Sequence, residues 1–226
     1  YSVTKWDVSP SRPGAPAFEY QGWAGFDGLP EFAEDDLGLV PGIRDHIFDI
    51  TRRWQDPNGD GDPSDGIDGW RLDVPGNVNH PFWVDWRKVV KGVNPDAYIS
   101  GEVWENAAEW LKGDQFDAVM NYEFTKRVYG FFIPGGQTAA ISPSQFQKSL
   151  EEMLKWYSPE VTRVLQNLLD SHDVDRIVSA AHNRAGWKRG RMQDDNPSYD
   201  PSAPGRPSYD ILKQIVTFQM TWPGAP

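Results

Sequence analysis

Gly66-Ile67-Asp68-Gly69-Trp70-Arg71-Leu72-Asp73-Val74 reads as a short buried β-strand that carries an arginine and an aspartate two positions apart. Side chains alternate across a strand, which places Arg71 and Asp73 on one face and Trp70, Leu72 and Val74 on the other. Charge is costly to bury unless it is paired or functional. The C-terminal ends of strands are where a parallel α/β barrel does its chemistry, so Asp73 is the residue to follow.

Working outward, Asn79-His80-Pro81 opens a helix with Phe82, Trp86, Val89, Val90 and Val93 on one side, and Asn94-Pro95 closes it. Residues 97–104 read as a second strand and residues 115–122 as a third. Ser142-Pro143-Ser144-Gln145 is a capping box ahead of Phe146, Leu150 and Leu154. Residues 164–171 read as a fourth strand ending at His172-Asp173. Residues 182–207 form a polar loop, and Ser208 is the expected cap of a last helix through Leu212, Ile215 and Val216. Upstream, residues 41–54 place Ile43, Ile47, Ile50 and Trp54 on one helical face. Residues 1–36 show neither helical nor strand period and read as a long loop. Alternating strands and helices imply right-handed crossovers and parallel strands, in a barrel or an open doubly wound sheet. Either way, functional groups gather at the strands' C-terminal ends.

Composition narrows the partner. The 226 residues carry a formal net charge of −11, which argues against nucleic acid or an anionic membrane and favours a neutral substrate. Eleven tryptophans and a 13% aromatic content supply both core and stacking surfaces. With no cysteine, disulfides, thiolate catalysis and cysteine-bound metals are excluded. No apolar run of about 18 residues and no signal-type start is seen, so neither a membrane span nor a leader is expected. A bacterial-type secreted or periplasmic setting is expected ahead of a cytoplasmic one.

Asp56-Pro57-Asn58-Gly59-Asp60-Gly61-Asp62 places oxygen ligands at alternate positions, with glycine sixth, like the first half of an EF-hand or dockerin calcium loop. Ile67 stands where the bidentate carboxylate belongs. A metal-free connection rich in Asx turns fits the same residues, and Asp56, Asn58, Asp60 and Asp62 are carried forward with both readings open. No organic cofactor is expected.

Three acids end three of the four strands: Asp73, Glu102 in Ser100-Gly101-Glu102-Val103-Trp104, and Asp173 in Asp170-Ser171-His172-Asp173. Two carboxylates about 5 Å apart across a glycosidic bond support retaining hydrolysis. The segments Gly69-Trp70-Arg71-Leu72-Asp73, Gly101-Glu102-Val103-Trp104 and Leu169-Asp170-Ser171-His172-Asp173 resemble three signature regions of the α-amylase family of glycoside hydrolases. The run Gly113 to Tyr122 resembles the neopullulanase and cyclomaltodextrinase branch, and Leu29-Pro30-Glu31-Phe32 loosely matches a further signature.

The resemblance implies Asp73 as nucleophile, Glu102 as general acid/base and Asp173 as the carboxylate that binds the distorted sugar. Arg71 would be the charge partner of Asp73, and His172 would reach sugar hydroxyls. Trp104 would stack on a sugar, with Trp23 and Phe26 walling the cleft. His46 and His80 read as structural, and Asn77 stands where that branch often carries Glu. The implied fold is a partial (β/α)8 TIM barrel, strands four to seven with their helices. Residues 1–40 would end a loop domain inserted after strand three, and residues 41–226 would be the partial barrel, ending before strand eight. The implied activity is hydrolysis of α-1,4 and α-1,6 bonds in starch, pullulan or cyclodextrins, with a homodimer in the full-length protein. The fragment alone is expected to be inactive. The other class in play is a non-catalytic carbohydrate-binding or transporter-associated relative, which need not keep all three acids.

Overall fold

Prolines and short polar side chains set most helix starts in the computed structural model, which describes residues 3–6, 18–26, 28–135, 138–184 and 198–226. The chain divides into two units, one running to Ile99 and including Lys112–Phe116, the other formed by Ser100–Leu111 and Asp117–Pro226.

In the first unit, β1 (Val3–Trp6) pairs antiparallel with β2 (Phe18–Tyr20), and β3 (Glu34–Asp35) pairs with β4 (Gly38–Leu39). Among its described residues the region expected to lack strands therefore holds three, each too short for alternation to register in sequence. Helix α1 (Pro41–Gln55) begins at its proline as expected, but its packed face differs. Thr51 and Gln55 are buried, while Ile50 and Trp54 are 38% and 58% exposed. Hydrogen bonding explains the swap. Thr51 Oγ1 donates to Ile47 O and accepts from Trp86 Nε1, both at 2.8 Å, and Gln55 Nε2 donates to Val90 O at 3.4 Å. Thr51 is satisfied in this way and Gln55 through its Nε2 alone, its Oε1 being buried without a hydrogen-bond partner, and both occupy core positions that a hydrophobic pattern does not reveal.

Strand β5 (Gly69–Leu72) stops one residue before Asp73. Leu72 is buried, but Arg71, Asp73 and Val74 are exposed, which corrects the expectation of a buried strand continuing through Val74. Helix α2 (His80–Val93) is capped by Asn79, whose side chain accepts from Phe82 N, and it buries Phe82, Trp83, Trp86 and Val90. Trp83 meets Trp86 and Phe116 edge-on at 5.6 and 5.4 Å. Beside β5, β6 (Tyr98–Gly101) begins with Tyr98 N donating to Asp68 O at 2.9 Å. Glycine is required at Gly69, because a Cβ there would lie 2.3 Å from Tyr98 O.

In the second unit the end of β6 pairs parallel with β7 (Ala118–Val119). Both strands are shorter than expected. Helix α3 (Tyr122–Phe132) follows at once under an Asn121 cap and was not foreseen. Helix α4 (Pro143–Met153) has the expected capping box, with Gln145 N donating to Ser142 Oγ and Ser142 N to Gln145 Oε1.

Helix α5 (Pro159–Val164), capped by Ser158, takes up the start of the expected fourth strand. What remains of that strand is a parallel rung, where Gln166 N donates to Val119 O at 3.1 Å and Asn167 N to Ala225 O at 2.7 Å. Leu168 N then turns back to Gln166 O at 3.0 Å, so the apolar Leu168 and Leu169 sit in a buried turn. Helices α6 (Ile177–His182) and α7 (Arg206–Thr221) complete the unit. Gly205 caps α7, and Ser208 lies buried inside it. Of the expected polar loop, residues 185–197 lie outside the described residues. Ala225 pairs with Gln166 through an isolated parallel bridge. Phe124, Val128, Ile133, Phe146, Leu150 and Ile215 form the centre of this unit's core.

Candidate active site

Asp73 follows β5 directly, in the first unit. Arg71 Nη1 donates to Asp73 Oδ1, the two side chains being 33% and 67% exposed. Residues two apart on a strand share a face, which is why this pair can close locally. The turn beyond Asp73 is constrained. Val74 is the one non-glycine residue with positive φ among those described, at φ 41° and ψ 48°, a conformation a β-branched side chain rarely adopts. Strain of this kind persists only where the surroundings impose it. Here the Trp83 indole N–H is shared between Pro75 O at 2.9 Å and Val78 O at 3.2 Å, and Pro75 is buried. In sequence Trp83 looks like any aromatic core position, and its hold on the turn was missed.

The second unit contains the other two acids. Glu102 comes directly after β6 and is 5% exposed. Met120 N donates to Gly101 O at 2.9 Å, fixing the backbone ahead of it. Two residues on, the Trp104 ring lies flat on Tyr122 with centroids 3.8 Å apart and planes 9° apart. One face of the ring expected to meet a sugar is therefore taken by Tyr122. Lys126 Nζ donates to Trp104 O at 3.0 Å.

Asp173 is one-third exposed, and its N–H donates to Ser171 Oγ at 3.1 Å. His172 Nε2 lies 3.2 Å from Asp173 Oδ2. Ser171 Oγ also accepts from Tyr122 OH at 3.1 Å. Asp170 anchors the turn to α6, accepting from Ile177 N at 2.8 Å and Arg176 Nη1 at 3.3 Å. Below it Tyr129 OH donates to Asp175 O at 3.4 Å, and burial, with the charges of Asp170 and Asp175, pushes this phenol well above its usual range.

The structure thus brings Arg71 to Asp73, His172 to Asp173, and Trp104 to Tyr122. Asp56, Asn58, Asp60 and Asp62 are turned instead to backbone N–H groups of their own loop, at 2.8–3.0 Å. Among the described residues no three His, Asp or Glu side chains gather to hold a metal ion. His46 is exposed on α1, and His80 Nδ1 lies 2.8 Å from Gln115 Oε1 at the start of α2. Trp23 is half-buried, Phe26 is 64% exposed, and Asn77 ends the turn after Val74. Among the described residues no helix is long and apolar enough to cross a membrane.

Residues 39–195 match the family model described as alpha amylase, catalytic domain. Neopullulanase 2 of Thermoactinomyces vulgaris is 42% identical over 149 residues, 66% of this chain and 23% of that protein. A cyclomaltodextrinase of a Bacillus species is 44% identical over 141 residues, 62% of this chain and 23% of that protein. Among solved structures, a debranching enzyme of Nostoc punctiforme superposes with a TM-score of 0.73 at 31% identity, covering 100% of this chain and 43% of that one. A type III pullulan hydrolase of Thermococcus kodakarensis gives a TM-score of 0.71 at 29% identity, covering 93% of this chain and 32% of that one. The chain spans 23% of the length of the two curated relatives. The family model matches well more than half of the residues, and the chain belongs to the alpha-amylase family.

Proposed function

We propose that the protein is a retaining α-glucan hydrolase acting on α-1,4 bonds, and on α-1,6 bonds, in starch, pullulan or cyclodextrins. The observation that carries this reading is the set Asp73, Glu102 and Asp173, the first two directly after strands and the third tied through its N–H to Ser171, in a chain of this family. Asp73 attacks the anomeric carbon to form a covalent glycosyl-enzyme. Glu102 protonates the departing oxygen and then takes a proton from the incoming water. Asp173, with His172, holds hydroxyls of the distorted sugar, and Arg71 is the charge partner of Asp73. The names borne by the relatives, neopullulanase, cyclomaltodextrinase, pullulan hydrolase and debranching enzyme, support this substrate class. The finer architecture, strands four to seven of a (β/α)8 barrel, is part of the same proposal.

The test is product analysis of the full-length protein that carries this chain, on soluble starch, pullulan and β-cyclodextrin, beside its Asp73→Asn variant. Turnover should fall by about 10³-fold or more in the variant while maltodextrin binding persists. Binding without turnover by the wild type, unchanged in Asp73→Asn, would overturn the enzymatic reading in favour of a carbohydrate-binding relative.

A further inference from the structure

We infer that Tyr122 is a positioning residue that couples the segment carrying Glu102 to the segment carrying Asp173. The inference rests on the proposed catalytic reading of those two acids. Tyr122 is 2% exposed, so its action is on neighbouring side chains and not on a ligand. Its ring lies 3.8 Å from that of Trp104, two residues after Glu102. Its hydroxyl donates to Ser171 Oγ at 3.1 Å, two residues before Asp173. A serine hydroxyl has two acceptor lone pairs. Ser171 Oγ uses them for the Tyr122 O–H and for the Asp173 N–H, also at 3.1 Å.

The tyrosine is itself firmly placed. It is the first residue of α3, whose cap Asn121 accepts from Phe124 N at 3.2 Å and donates through Nδ2 to Asn167 Oδ1 at 2.9 Å. One turn along, Lys126 Nζ donates to Trp104 O at 3.0 Å, holding the backbone of the residue whose ring Tyr122 covers. Ring and hydroxyl form one rigid body with two side-chain torsions, so a shift on the Trp104 side is passed to Ser171 and a shift at Ser171 is passed back. Phenylalanine would fill the same core space and keep the stack. The hydroxyl is what extends the contact to the second segment. Displacing a reacting group by about 1 Å costs on the order of 10²-fold in rate, so shared positioning of two acids has a measurable effect.

Three variants separate the two arms: Tyr122→Phe keeps the stack and removes the hydroxyl, Tyr122→Leu removes both, and Lys126→Met removes the bond to Trp104 O together with the ion pair to Glu123, leaving the Tyr122 contacts in place. In the full-length protein that carries this chain, amide hydrogen exchange is read at residues 102–106 and 171–175, together with kcat and KM on maltodextrin. In Tyr122→Phe the Asp173 amide should exchange about tenfold faster, the worth of one neutral hydrogen bond, with residues 102–106 unchanged. Its kcat should fall about tenfold with KM within twofold. Tyr122→Leu should loosen both segments and lower kcat about 100-fold, and Lys126→Met should loosen residues 102–106 and the first turn of α3 while leaving residues 171–175 unchanged. A Tyr122→Phe protein with wild-type Asp173 protection and kcat, or with exchange raised evenly through α3 and α7, would overturn the inference. A wild type without turnover would sink the catalytic reading alone, because the exchange pattern still decides whether Tyr122 couples the two segments.

Discussion

Glu123 sits between two cations on α3, with Oε1 2.5 Å from Lys126 Nζ and Oε2 2.6 Å from Arg127 Nη1, and its side chain is 18% exposed. Burial pushes this carboxyl up, but the hydrogen bonds from Lys126 and Arg127 outweigh it and hold the group below its ordinary 4.5. A carboxyl depressed in the folded state contributes stability that is fully present above that ordinary value and is lost as the pH falls through the folded one. Glu123→Gln should therefore destabilise the protein by about 1 kcal/mol at neutral pH, and its urea midpoint should fall less steeply than that of the wild type below pH 4.5. Parallel stability-pH curves below that point would show that Glu123 is not the group responsible. The positions of Asp73 and Glu102 directly after strands were legible because each stands in a local string that reads as a strand end. The conformation of Val74 and the roles of Trp83 and Tyr122 were not. Each depends on a contact with a residue between 5 and 49 positions away, which no local pattern records.

At the scale of elements, what could be read were the signals carried by single side chains at fixed offsets. The Asn79 cap, the Ser142 and Gln145 box and the proline at the start of α1 all stand where the sequence placed them. Strands of two to four residues carry too little alternation to be bounded, and a helix as short as α5 is masked by the apolar run that follows it. The Asp56 to Asp62 loop is where one motif leaves two readings open. Asp56 accepts from Gly59 N at 2.8 Å and Gly61 N at 2.9 Å, and Asn58 and Asp60 each accept from the N–H two residues on at 2.8 Å. The Ser64 backbone N–H, followed by its hydroxyl, holds the Asp62 carboxyl below its ordinary range. These bonds hold the loop without a cation, while each oxygen keeps a lone pair that a cation could share. We expect millimolar calcium against EDTA to move Tm by less than about 1 °C, since a ligand stabilises only through preferential binding to the native state. A rise of several degrees would show that the carboxylates rearrange into a calcium cage.

At the scale of the whole molecule, a net charge of −11 leaves surface repulsion to be offset by specific internal bonds. In the second unit those converge on Asn167, which is fully buried. Its side chain accepts from Asn121 Nδ2 and donates to Pro223 O, both at 2.9 Å. Its backbone donates to Ala225 O at 2.7 Å and accepts from Gln219 Nε2 at 2.6 Å. One residue thus joins the cap of α3, the end of α7 and the parallel rung at Gln166. Gly224 makes room for it: φ there is 131°, and a Cβ would come within 2.2 Å of Asn167 Nδ2. The sequence shows only a polar residue inside an apolar run, because hydrogen-bonded hubs are defined by partners far along the chain. Asn167→Leu preserves volume but strands the Asn121 amide and the Pro223 carbonyl without their partner, at a cost of about 2–4 kcal/mol. The urea midpoint should drop accordingly with the m-value unchanged. A loss under about 0.5 kcal/mol would mean that water replaces the amide and that the junction is held by its backbone bonds alone.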